Sequence, residues 1–306
     1  MLLALAPGIS YRFLLGAMQQ NQIALTVRFM AVDHEVQRLP EITAAWRAAS
    51  ARMQALLNEE PGAADRAVVE QLAPNVQARL AEIQADPLFQ ASFSDVPTTI
   101  GLVEIDSMVA PQREVNLDYV AVLRERLAGD TSLPNLVEFC LATRAEAPDI
   151  RAIQNSQNQM TFSSQSLDLR FLGGFPKRLT ENDIQVAHAG GRPVTVITLL
   201  VGFGAAPING WLVGQRFVLA NGFHRVFALR SEGVTSVPVA VRHVANPQIE
   251  FPEQYLGLSR SYLLEYRRPV LIRDFFDGQL TVEVRLKSRR KVLRVSWGPE
   301  DSIVPE

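Results

Sequence analysis

The sequence predicts an α/β (α+β) fold, and three observations carry that reading. Apolar residues make up 47 % of the 306 and charged residues 20 %, the balance of a chain that buries a core rather than one that stays disordered. Residues 209–244 run as an apolar strand, an Asn-Gly turn, a three-turn helix, a glycine and a second apolar strand. A similar strand–turn–helix unit lies upstream at 100–127, so strands and helices alternate rather than segregate.

Taken in order, the elements are as follows. "MLLALAPGISYRFLLGAMQQ" starts apolar without a basic leader and is broken by Pro7, Gly8 and Arg12, so it fits neither a secretory signal nor a spanning helix. "LPEITAAWRAASARMQALLNEE" places Ile42, Trp46, Met53 and Leu56 on one stripe and predicts a helix between Pro40 and Pro61-Gly62. "AADRAVVEQLAPNVQARLAEIQAD" predicts a second helix bent at Pro74. Together they suggest a helical hairpin suited to packing, self-association or a protein partner. Ile100 to Ile105 read as a strand, "APQRE" as a turn, and 116–127 as a helix capped by Asn116 and stopped near Gly129. Residues 134–145 predict another helix.

Residues 151–169, rich in Gln, Asn and Ser, read as a loop or surface insertion, and "VTVITLLV" as a buried strand. "GWLVGQRFVLA" reads as one strand, "FHRVFALRSEG" as a helix ending at Gly233 and "VTSVPVAVRHV" as a strand. "PEQYLGLSRSYLLEYRR" predicts a helix. "LTVEVRLKSRRKVLRVSW" predicts a β-hairpin, with Val282, Val284 and Leu286 answered by Leu293, Val295 and Trp297.

Charge and cysteine content exclude several function classes. Net charge is −2, so bulk charge does not attract polyanions, and only three of the 30 basic residues are lysine. One local patch is basic: Arg285, Lys287, Arg289, Arg290, Lys291 and Arg294, opposed by Glu283. It would suit a nucleic-acid backbone, although a charged strand edge that resists aggregation is the favoured reading. Cys140 is the single cysteine, which rules out an internal disulfide and suits a reducing compartment; its apolar setting predicts a buried, inert thiol. His188 and His243 lie far from other ligand-type residues, so a zinc site is not supported. A soluble cytoplasmic protein without membrane segments is expected.

The candidate site is the stretch "VLANGFHRVFALRSEGVTSVPV" at 218–239. Asn221-Gly222 makes a tight strand exit. The helix that follows begins with unpaired amides and a positive dipole end. Gly222 carries no side chain to block approach, Arg225 forks two hydrogen bonds and His224 adds a titrating donor, a combination that fits an anion. Glu104 and Asp106 flank Ile105 on the predicted strand and so share a face. They are candidates for holding Mg²⁺ or acting as general base, against the plainer reading of an ion pair at a strand end.

This stretch resembles the signature of the ParB/sulfiredoxin superfamily: a strand, a Gly-x-His-Arg turn, a short helix, a glycine and a strand with "VPV". Upstream, "VEIDSMVAPQREVNLDYVAVLRERL" is similar to that family's strand, Pro-Gln-Arg turn and helix. The resemblance implies a small domain that binds nucleotide phosphates at the start of the Gly-x-His-Arg helix, with Mg²⁺. By position, Asn221, Gly222, Phe223, His224 and Arg225 would form the phosphate site, with Gln112 and Arg113 facing it. Where sulfiredoxins carry a catalytic cysteine this chain has Phe223, so sulfinic acid reduction is disfavoured. Partition proteins carry Glu-Arg-Arg there and a following helix-turn-helix that is not readable in 245–306. Serine kinases and nuclease-like members tend to have Asp-Gly-His-His-Arg; here Asn221 replaces the Asp and Phe223 the first His.

The implied organisation is a mostly helical extension over 1–97, a ParB/sulfiredoxin-like domain over 98–245 with an insertion at about 130–192, and a tail of helix plus basic hairpin over 246–306. The expected function is nucleotide binding, of ATP or CTP with Mg²⁺, with phosphoryl transfer or hydrolysis using His224, Arg225, Glu104 and Asp106. The alternatives are a non-catalytic nucleotide-responsive interaction module and a DNA-associated or nuclease-like protein.

Overall fold

The computed structural model describes residues 8–143, 148–166, 168–180, 194–204 and 206–300. The chain mixes helices and strands in an α/β fold and divides into two compact units. The first takes 1–145 and 205–288, the second 146–204 and 289–306. This division differs from the one expected at 97 and 245, and the pairing of the strands explains it.

In the first unit, β1 (Ile9–Leu14) is the middle strand of a three-stranded antiparallel sheet. One neighbour is β4 (Glu114–Asn116). The other is β12 (Thr281–Leu286), in register from Ile9 opposite Leu286 to Leu14 opposite Thr281. Strands about 270 residues apart in the chain therefore share one sheet. Helices α1 (Gln20–Met30) and α2 (Leu39–Glu59) cover it, and Tyr11, Phe13, Ile23, Ile42, Val284 and Leu286 form their joint core. The N-terminal segment is thus an integral layer and not an appendage.

The five-stranded sheet of the same unit runs β10-β9-β11-β3-β2. Its members are β2 (Val69–Glu70), β3 (Thr98–Glu104), β9 (Asn209–Val213), β10 (Arg216–Asn221) and β11 (Ser236–His243). "GWLVGQRFVLA" is therefore a hairpin rather than one strand, turned at Gly214 with φ +59°. β9 and β11 are parallel, and the long crossover that a parallel pair requires runs through antiparallel β10 and helix α6 (Phe223–Ser231). A core including Val103, Ile105, Phe217, Phe227, Val239 and Phe275 fills the space between sheet and helices.

Several helices shrink relative to expectation. The predicted second N-terminal helix is only α3 (Gln77–Ala85), because Val69 and Glu70 pair with β3 and Pro74 opens a 3₁₀ turn. Helix α4 (Leu117–Leu127) has the expected Asn116 cap, whose side chain accepts from Tyr119 N–H at 3.0 Å. Helix α5 (Leu133–Leu141) buries Leu136, Val137, Cys140 and Leu141. Over 252–268 the predicted helix is replaced by a short hairpin (Gln254–Tyr255 with Leu258–Ser259) and a helix confined to Arg260–Leu264.

The second unit is all β among its described residues. β5 (Arg151–Ser156), β6 (Gln159–Ser164) and β13 (Lys291–Ser296) form a sheet in the order β13-β6-β5. β7 (Arg170–Arg178) and β8 (Thr195–Gly202) form a separate two-stranded ribbon. The stretch expected as a loop at 151–169 is thus mostly a hairpin. The predicted C-terminal β-hairpin does not exist: β12 pairs with β1 and β13 with β6. Leu169 is the one fully buried apolar side chain among the unit's described residues. Residues 181–193, with His188, and the apolar start at 1–7 lie outside the described residues.

Candidate functional site

The two sequence segments that carried the functional reading meet in space. β4 delivers Asn116 to the start of α4, and the Asn116 N–H donates to His224 Nε2 at 3.1 Å. An accepting Nε2 calls for the neutral ring with its proton on Nδ1. The imidazole also lies edge-on to Tyr119, 5.5 Å between centroids, and to Phe223, 5.8 Å. His224 thus links the first turn of α6 to the first turn of α4.

Gly222 and Phe223 each have a packing reason for their identity. Gly222 has φ +94°, and a Cβ there would sit 2.7 Å from Ile208 Cγ1. The glycine makes room for the protein's own isoleucine, where the sequence suggested room for a ligand. Phe223 is buried against Phe275, with ring centroids 5.1 Å apart. Asn221 ends β10 beyond a register shift opposite Asn209.

Arg225 is the decisive side chain. One guanidinium nitrogen donates to the carbonyl oxygens of Phe139 and Cys140, both at 3.2 Å, and the other donates to that of Ala206. Phe139 and Cys140 belong to the last turn of α5, whose carbonyls lack partners within the helix. A cation at that end also complements the helix dipole. Arg225 therefore caps α5 from another helix and ties it to the segment at which the chain re-enters the first unit. Cys140 O accepts a further bond from Ile208 N–H at 2.7 Å. The Cys140 thiol beneath is fully buried, and desolvation pushes its pKa up to about 12, with only partial opposition from the charge on Arg225.

The acidic candidates separate. β3 ends at Glu104, which is exposed, while Asp106 lies in the 3₁₀ turn Ile105–Ser107, so they do not share a strand face. Asp106 accepts both arms of Arg230, at 2.7 and 3.0 Å. That forked pair raises the Arg230 pKa, chiefly through its hydrogen bonds. The ion-pair reading of Asp106 is the one the geometry supports. Among the described residues no group of three or more His, Cys, Asp or Glu is placed to hold a metal ion. Of the turn residues, Arg113 donates to Gln22 Oε1 at 3.3 Å, and its charge reaches Tyr262; Gln112 is half-buried.

The predicted basic patch also divides. Arg285 and Lys287 stay with the first unit, where Lys287 lies 3.8 Å from Asp33, and the opposing Glu283 pairs with Arg12 across β1 and β12 at 2.6 Å. Arg289, Arg290, Lys291 and Arg294 belong to the second unit. An open groove of about 550 Å³ lies by Gln84, Phe89, Phe93, Asp95 and Thr98, and it contains none of the predicted site residues.

Sequence reading missed the buried charge clusters. Arg268 is buried between Asp274 (2.6 and 2.7 Å) and Glu60 (3.1 Å), and Glu60 also accepts from Arg273. Buried Arg216 forks onto Asp65 at 2.7 and 2.8 Å. Both clusters join residues near 60–65 to partners more than 150 positions away, and nothing local in the sequence marks them. Among the described residues no helix is long and apolar enough to cross a membrane. No family model matches the chain, and neither the curated proteins nor the solved structures yield a match.

Proposed function

We propose that this chain is a non-catalytic protein-interaction module, in which the Gly-x-His-Arg turn is a structural junction. The observation that carries the reading is the commitment of Arg225 to the carbonyls of Phe139, Cys140 and Ala206. A phosphate on this turn would have to draw the guanidinium away and leave those acceptors unpaired, at a cost of about 1–3 kcal/mol each where they are buried. The fork between Asp106 and Arg230 argues the same way against a metal ligand or general base at that carboxylate.

The test is thermal unfolding with ATP, CTP and GTP, each with Mg²⁺, alongside assay of released phosphate. A ligand present at about 100 times its Kd stabilises by about 2.7 kcal/mol. The module reading expects no such shift and no phosphate release. Stabilisation of that size, lost in Arg225→Ala, would restore a nucleotide as the ligand, as in the resemblance to the ParB/sulfiredoxin superfamily. Phosphate release would overturn the module reading outright.

A further inference from the structure

We propose that the free edge of β8 is a self-association surface, occupied by β8 of a second copy of this chain in an antiparallel pair about a two-fold axis. This rests on the module reading and names its partner. The starting point is the ribbon β7–β8, which has no third strand among the described residues. A two-stranded ribbon is at best marginally stable alone in water. This one also exposes large apolar side chains on both faces, among them Phe171 and Ile197 on one and Phe175 and Leu200 on the other, at 46–69 % exposure. The unit that carries it has little core to compensate.

The two edges of the ribbon differ in kind. β7 carries the features with which proteins block strand addition: the charges of Arg170, Lys177 and Arg178, Pro176 without an N–H, and a register shift between Phe171 and Gly173. β8, "TVITLLVG", carries none of them; it has no charge and no proline over eight residues, and it is rich in β-branched and leucine side chains. One edge is protected and the other is left open to pairing.

The absence of charge selects the occupant. A strand recognising an acidic or basic partner segment would bear complementary charge, whereas an uncharged strand meets its own copy without repulsion. A two-fold axis places identical strands antiparallel and makes the contact self-complementary and closed. The product is a four-stranded sheet, β7-β8-β8-β7, whose outer edges are both the protected β7. Apolar side chains on each face of the two ribbons then become neighbours across the new pair, which is where cross-strand stabilisation arises.

The test is sedimentation equilibrium of the full chain with variants at Ile197, which is exposed and so dispensable for the fold of the ribbon. The wild type should be dimeric. Ile197→Lys and Ile197→Glu should each weaken the dimer at least about tenfold. Far-UV circular dichroism of each variant should match the wild type. A monomeric wild type or an undiminished dimer in either variant would overturn the proposal. A monomer sinks the dimer and leaves the module reading in place; nucleotide turnover sinks the module reading whatever the association state.

Discussion

At the residue scale, the turn at 221–225 shows how one motif serves two physical ends. Glycine is needed at 222 on two counts, a left-handed backbone and a Cβ position already filled by Ile208. Gly222→Ala should therefore lose about 2–5 kcal/mol, the sum of a left-handed penalty and overpacking, read as a lower urea midpoint. The neighbouring thiol gives a pH-dependent prediction. Cys140 ordinarily titrates near 9.0 and is pushed up to about 12 by burial. The folded state then holds its proton more tightly than the unfolded state. Its contribution is complete below pH 9 and is lost as pH rises from 9 toward 12, at about 1.4 kcal/mol per pH unit. Urea titrations across that window should show a slope steeper in the wild type than in Cys140→Ala by about this amount. The motif letters at 222–225 were legible in the sequence, but their partners were not. The carbonyls that hold Arg225 are main-chain groups placed by helix α5 and the bend before β9, and no residue type announces them.

At the element scale, local signals gave the elements and missed their pairings. Asn116 capping α4, Gly233 after α6 and the apolar runs of β3 and β11 were all readable, because caps and periodicity act within a few residues. The C-terminal strands were misread for the same reason. Val282, Val284 and Leu286 alternate and face Leu293 and Val295 across a polar loop, so local logic makes a hairpin. The strand that β12 joins begins at Ile9, about 270 residues earlier. Likewise the continuous apolar pattern of 210–220 hides the turn at Gly214. A pair of truncations checks the observed pairing. A chain ending at Ser288 keeps β12 and should retain the cooperative unfolding of the first unit. A chain ending at Leu280 loses β12 and exposes Tyr11, Phe13 and Ile42, and it should fail to unfold cooperatively. Equal behaviour of the two would contradict the sheet order β12-β1-β4.

At the scale of the whole molecule, the second unit is an excursion from the first. The chain leaves after α5 and returns at 205, and the bond between Ile208 N–H and Cys140 O shows that its exit and entry lie side by side. Replacing 146–204 by a short linker and stopping at Ser288 should leave a folded first unit with a melting transition close to the parent's, observable by calorimetry. The same threading has a consequence for biosynthesis. β13, the final strand, completes the sheet begun by β5 and β6, and β12 completes the sheet begun by β1. At about 5–20 residues per second, the interval between emergence of β6 and of β13 is on the order of ten seconds. Throughout it the uncharged β8 stands without its unit's last strand, so the nascent chain presents its most adhesive segment before either half can close, and chaperone demand should concentrate there.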